Sequence, residues 1–154
     1  PRFYHWNDPQ ATVVRAAREA NAGMPEHAVT LLNSELGSLT GKKVAVLGIS
    51  YRGGVKESAF SGVFPTVAAL KSAGATVLVH DPMYTDEEIK NLGFEVFKFG
   101  GNVDGVILQA DHFEYKELSA KDFPGVKCIV DGRRALNKEK FTGVTLRVIG
   151  APAR

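Results

Sequence analysis

Six short β-rich runs, spaced by helical or turn-forming stretches, constrain this chain more than any other feature. They read VAVLG at 44–48, TVLVHD at 76–81, FEVF at 94–97, GVILQ at 105–109, CIVDG at 128–132 and TLRVIG at 145–150. A helical pattern at 61–73 is closed by Gly74, and Thr85 and Glu88 stand at the spacing of a capping box that opens a short helix. Pro65 falls in the first turn of the 61–73 helix, where a missing N–H is tolerated. Helical turns are predicted near 114–120 and 137–141. Strands alternating with helices pair in parallel through right-handed crossovers. The expected fold is therefore α/β, a doubly wound, mainly parallel sheet of about six strands.

A helical segment precedes the sheet. Val13, Ala16, Ala17 and Ala20, then Ala28, Leu31, Leu32 and Leu36, recur at helical spacing from about 9 to 36. The stretch 21–25, ending in Pro25, predicts a break or kink in it.

A chain of 154 residues fits one domain with a single core. No apolar run approaches the roughly 20 residues needed to cross a bilayer. The formal charge is +2, with cations dispersed among carboxylates and no basic stripe interleaved with aromatics, which argues against nucleic acid as a partner. One cysteine, Cys128, precludes an internal disulfide, and no Cys/His spacing resembles a zinc site, so the cytoplasm is the expected compartment. The opening PRFYHWNDPQ has no charged-then-apolar signal architecture.

In an open parallel sheet ligands bind beyond the carboxyl ends of the strands. There the first run enters a long glycine-containing loop, GISYRGGVKES at 48–58. The spacing G-x-x-x-x-G-G departs from the G-x-G-x-x-G of a dinucleotide turn. Arg52 and Lys56 nevertheless flank Gly53 and Gly54, where backbone can come close to a pyrophosphate. A solvated basic loop is the competing reading. The run Asp131-Gly132-Arg133-Arg134 ends the fifth strand, and its glycine allows a turn that aims Arg133 toward the Arg52 loop. Pairing of Arg133 or Arg134 with a nearby carboxylate is the alternative.

Asp81 follows the second strand, as does the acid that accepts a ribose hydroxyl in dinucleotide folds, but Asp-Pro is also a common turn starter. Tyr51, Tyr84 and Phe113 could stack on a base or pack on loop backbone. Cys128, inside VKCIVD, reads as a buried small hydrophobe. His5, His27, His80 and His112 are scattered and no catalytic triad is legible. His80, at a strand tip, suits a structural hydrogen bond. Glu57 suits an anchor for backbone N–H groups.

The stretches REANAGMP at 18–25, KKVAVLGISYRGGVKES at 42–58, LKSAGATVLVHDP at 70–82 and VDGRRALN at 130–137 together resemble the nucleotide-sugar 6-dehydrogenases, a family that includes UDP-glucose, GDP-mannose and UDP-N-acetylmannosamine dehydrogenases. The loop YRGGVKES is most similar to the UDP-N-acetylmannosamine branch. The resemblance implies an enzyme of three parts: an N-terminal NAD-binding domain, a helical central domain that supports a homodimer, and a C-terminal Rossmann-like domain that binds the UDP-sugar. On this reading residues 1–38 are the tail of the central domain and 39–154 the UDP-sugar-binding domain. Pro1 to Tyr4 resemble the end of the segment that follows the family's catalytic cysteine, so this chain is expected to begin past the nucleophile and to be inactive alone.

By the same resemblance, Tyr51 and Arg52 match an aromatic–lysine pair that touches the UDP-sugar, Lys56 matches an arginine that reaches NAD phosphate, and Arg133 matches a substrate-binding arginine. Arg52 in place of lysine and Lys56 in place of arginine keep the charge and change the geometry, a planar fork against a point charge. No catalytic residue or metal ligand is assigned in the chain. The implied reaction is a four-electron oxidation of the sugar's 6-hydroxymethyl to a carboxylate with two NAD+ per turnover, serving polysaccharide synthesis. A free-standing dinucleotide-binding or regulatory module is the competing class.

Overall fold

A computed structural model describes Asp8 and residues 10–151. The Pro1–Tyr4 stretch, His5 and Pro9 lie outside the described residues. All six expected strands form: β1 (Lys43–Leu47), β2 (Thr76–His80), β3 (Glu95–Val96), β4 (Gly105–Leu108), β5 (Cys128–Asp131) and β6 (Thr145–Val148). They make one sheet in the order β3-β2-β1-β4-β5-β6, with every neighbouring pair parallel. The order reverses between β1 and β4, whose register pairs Leu47 with Leu108. That reversal opens the crevice in which such sheets take ligands.

The central strands β1, β4 and β5 are buried on both faces, as inner strands of a parallel sheet must be, and their side chains alternate between two cores. Val44, Val46, Ile107, Cys128 and Val130 face one core, together with helices α1 (Thr12–Leu36), α2 (Val63–Ser72) and α3 (Asp86–Asn91). Ala45, Leu47, Val106, Leu108 and Ile129 face the other. There, among the described residues, no α-helix covers the sheet. Tyr115, Leu118, Phe123 and Phe141, carried on or beside 3-10 turns at Phe113–Glu117, Ala120–Asp122 and Lys138–Phe141, do so instead. The predicted helical turns at 114–120 and 137–141 are these 3-10 pieces.

The predicted break at 21–25 does not occur. Helix α1 runs 25 residues, about 37 Å, with Pro25 inside it. Pro25 removes one N–H, but Asn21 to Met24 are exposed, so water can satisfy the freed carbonyl. Only the second half of α1 docks, through Ala28, Val29 and Leu32. Gly105 permits that approach, since a Cβ there would lie 2.9 Å from Leu32 Cδ1. Helix α3 opens with the expected capping box between Thr85 and Glu88.

Candidate functional site

Three loops meet beyond the carboxyl ends of β1, β4 and β5, and buried carboxylates shape each of them. At the end of β2, Asp81 is 1% exposed. Its Oδ2 accepts hydrogen bonds from Ile49 N at 2.7 Å, Ser50 N at 3.1 Å and His112 Nε2 at 3.0 Å, while Oδ1 accepts from Met83 N at 2.9 Å. Burial pushes its carboxyl up, but the bond from His112 and those from the Met83, Ser50 and Ile49 amides outweigh burial and hold it below the usual aspartate range. Of the two readings of Asp81, the strand-end cap is the one this geometry supports.

The turn after β5 is organised in the same way. Asp131, fully buried, accepts from Arg133 N at 2.8 Å through Oδ1, and from Ala135 N and Leu136 N at 2.9 Å through Oδ2. Gly132 makes the close passage possible, because a Cβ there would lie 2.8 Å from the Leu108 carbonyl oxygen. The turn aims Arg133 back across the strand ends. Its Nε donates to the Gln109 carbonyl at 2.8 Å and its Nη2 to the Tyr51 carbonyl at 2.9 Å. Arg134 is exposed, with a positive φ of 55°.

The loop after β1 is pinned from the β4 side. Gly53 N donates to Asp111 Oδ1 at 3.1 Å and Gly54 N to His112 Nδ1 at 3.3 Å. The hydrogen bond from Gly53, opposed by burial, holds the Asp111 carboxyl low, with Arg133 adding to the effect. The Tyr51 N–H donates to the Glu57 carbonyl at 3.0 Å, and Glu57 Oε1 accepts from Ala59 N at 2.7 Å, so Glu57 is the backbone anchor its type suggests. Among the described residues the buried Ser50 hydroxyl has no hydrogen-bond partner.

The site residues divide. Tyr51 and Arg133 line a cavity of about 460 Å³, with Gln109, Gly62, Phe60 and, from α1, Pro25 also on its wall. Volume and mixed lining suit a small-molecule site. Arg52 lies beside this cavity, exposed, its Nε 3.2 Å from the Tyr51 hydroxyl. Lys56 turns the other way. Its ammonium is 2.6 Å from Glu88 Oε1 and stands over the Tyr84 ring at 5.1 Å. Tyr84 therefore seats a cation, and Phe113 lies under Lys116 in the same manner.

His112, Asp111 and Gln109 carry more of the site than their spacing suggested. His80 is not the histidine that meets Asp81; its Nδ1 pairs with the Tyr115 hydroxyl at 3.0 Å, a structural bond as expected. The available signal for His112 was its place directly after the fourth β-run, in GVILQADH. Phe60, at φ 59° and 93% exposed on the cavity rim, has no sequence signature.

The family model described as the UDP-binding domain of the UDP-glucose/GDP-mannose dehydrogenase family matches residues 45–138. Among similar proteins, UDP-glucose 6-dehydrogenase AglM of Haloferax volcanii is 28% identical over 83% of this chain and 31% of its own length. UDP-N-acetyl-D-mannosamine dehydrogenase of Methanococcus vannielii is 27% identical over 97% of this chain and 37% of its own. The chain thus spans about a third of the length of these relatives. The structure of the UDP-N-acetyl-mannosamine dehydrogenase Cap5O from Staphylococcus aureus superposes with a TM-score of 0.75 at 28% identity, over 93% of this chain and 35% of the other.

Proposed function

We propose, from the premise that this chain belongs to the UDP-glucose/GDP-mannose dehydrogenase family through its UDP-binding domain, that it seats a UDP-sugar for a dehydrogenase whose nucleophile and main cofactor site lie in other parts of the polypeptide. The carrying observation is the Arg133 guanidinium, fixed by the Gln109 and Tyr51 carbonyls on the wall of the 460 Å³ cavity. A guanidinium held through Nε and Nη2 still has donors free for diphosphate oxygens. Tyr51, 41% exposed, offers a ring face beside it, and Arg52 a second fork. Prior fixation of Arg133 reduces the entropy lost on binding.

The nucleotide sugar we favour is UDP-N-acetylmannosamine or a related UDP-hexosamine, because YRGGVKES resembles that branch and several similar proteins bear that name. Oxidation of the 6-hydroxymethyl to a carboxylate uses two NAD+ per turnover, and the hydride chemistry belongs to the nicotinamide when it is bound. The residues here do not fit a dinucleotide seat of their own. The carboxylate that would meet a ribose, Asp81, is buried and already bonded to three backbone amides and His112. That weighs against the free-standing dinucleotide module. A contact from Lys56 to an NAD phosphate requires Glu88 to release its ammonium. The work of this domain is to hold the diphosphate so that the sugar meets the reacting groups elsewhere.

The test is a calorimetric and amide-shift titration of the chain with UDP, UDP-N-acetylmannosamine and NAD+. Uridine ligands are expected to shift amides at 51–56 and 131–134, and Arg133→Ala to move those shifts to about tenfold or higher ligand concentration. Binding of NAD+ in preference, centred on Asp81, would overturn the proposal.

A further inference from the structure

We propose that His112 is the positioning residue of the 51–56 loop, acting through the hydrogen bond that its Nδ1 accepts from Gly54; this rests on reading that loop as part of the UDP-sugar seat. His112 is 1% exposed, and both its ring nitrogens are engaged. Nε2 lies 3.0 Å from Asp81 Oδ2, and an ionised carboxylate only accepts, so Nε2 bears the proton. A backbone N–H only donates, so Nδ1, 3.3 Å from Gly54 N, presents its lone pair. The two neighbours therefore select one neutral tautomer. The Tyr115 ring, edge-on at 5.5 Å between centroids, packs against the imidazole.

The bond falls where the loop is least able to place itself. Gly54 has a φ of 72°, and Gly53 and Gly54 together form a stretch without side chains to pack. Arg52 and Lys56 stand two residues to either side. Asp81 fixes the start of the loop directly, through Ile49 and Ser50, and its middle indirectly, through His112. One buried carboxylate at the end of β2 thereby holds both the entry to the segment that carries the cations and its midpoint between them, the second by way of a side chain from the loop after β4. The Asp111 bond to Gly53 restrains the neighbouring peptide but leaves the orientation of the Gly54 N–H to His112.

Three substitutions separate the two bonds. His112→Asn retains an acceptor at the position of Nδ1 and is too short to reach Asp81; His112→Gln reaches Asp81 and leaves Gly54 without an acceptor; His112→Leu removes both. UDP affinity, the unfolding midpoint and the Gly54 amide resonance are measured for each in the 154-residue chain. The expected result is an affinity loss of about tenfold for Gln and Leu, the scale of one hydrogen bond lost, and a loss within about threefold for Asn. In the unsubstituted chain, imidazole nitrogen shifts should report a protonated Nε2 and a bare Nδ1 coupled to the Gly54 amide. The opposite tautomer, Gln binding as well as Asn, or losses that follow the unfolding midpoint in all three would overturn the proposal. Should the Leu variant not fold, the Asn and Gln pair decides. If the unsubstituted chain binds no UDP, the UDP-seat reading fails separately; a Gly54 resonance displaced in Gln and not in Asn still supports the positioning role, and equal displacement overturns it.

Discussion

Arg133 donates from Nη2 to the carbonyl of Tyr51 at 2.9 Å, so the turn after β5 is tied to the loop after β1 by the same group that faces the cavity. With Nε on the Gln109 carbonyl, one guanidinium spans three strand ends. On the proposed reading, stability of the rim and capacity for anions reside in one side chain.

Arg133→Ala should therefore lower UDP affinity by about tenfold to a hundredfold, the range for losing charge-assisted hydrogen bonds. Arg133→Lys should recover little of it, since a point charge cannot hold two carbonyls and a ligand together. Isothermal calorimetry on both variants checks this, and full recovery by lysine would show that charge alone matters.

Asp81 predicts a pH dependence of stability. Its folded-state pKa lies below the ordinary 3.8, so its contribution is fully present above that value and is lost as pH falls through the lowered folded value. Asp81→Asn, which keeps the shape but surrenders the ionised acceptor, should destabilise the chain by about 2–4 kcal/mol at neutral pH and flatten the acid limb of the stability curve. Urea unfolding between about pH 2 and pH 6 measures both effects. An unchanged acid slope would mean that other carboxylates govern it.

The two adjacent loop glycines should respond differently to alanine. At Gly53 a Cβ would lie 2.2 Å from the Asp111 carbonyl oxygen, so Gly53→Ala must displace the backbone of one loop or the other. At Gly54 a Cβ would meet nothing within 4 Å, and the cost is only that of φ 72°. Gly54→Ala should cost about 1–2 kcal/mol, and Gly53→Ala more than that together with loss of UDP binding. Equal effects would contradict the close packing of Gly53 on Asp111.

Most of the scaffold was legible because strand burial and helix capping are local matters. The apolar runs, the capping box at Thr85 and the stop at Gly74 each act within a few residues. The continuity of α1 through Pro25 was not legible, since it depends on the solvent exposure of that turn and the docking of Ala28, Val29 and Leu32 beyond it. In the candidate site Tyr51 and Arg133 could be read from the loop and turn that carry them, and the reach of Arg133 follows from Gly132. The role of His112 could not, because its partners Asp81 and Gly54 are 31 and 58 residues away. The pairing of Lys56 with Glu88, 32 residues apart, was hidden for the same reason.

Cys128 should be inert in the native chain. It is fully buried in β5, and burial first, with Glu35 adding to it against Arg147, pushes its thiol up to about 12. A disulfide reagent at neutral pH should label it only at the rate of unfolding, and denaturant should expose one thiol per chain. Fast labelling of the folded chain would show that β5 opens locally.

The first half of α1 carries the last expectation. From Thr12 to His27 no residue is buried, and Val13 is 80% exposed. Val13, Ala16, Ala17 and Ala20 form a small-residue apolar stripe on a helix with its other half docked on the sheet, so the stripe stands exposed rather than folded back. We propose that it joins a second copy and belongs with the dimerisation part expected for residues 1–38. Light scattering over a wide dilution series should show a monomer–dimer equilibrium, shifted to monomer by Val13→Glu together with Ala17→Glu. Substitution on an exposed half-helix leaves the sheet core untouched, so the unfolding midpoint of the diluted monomer should change little. A strictly monomeric profile at every concentration would overturn this proposal.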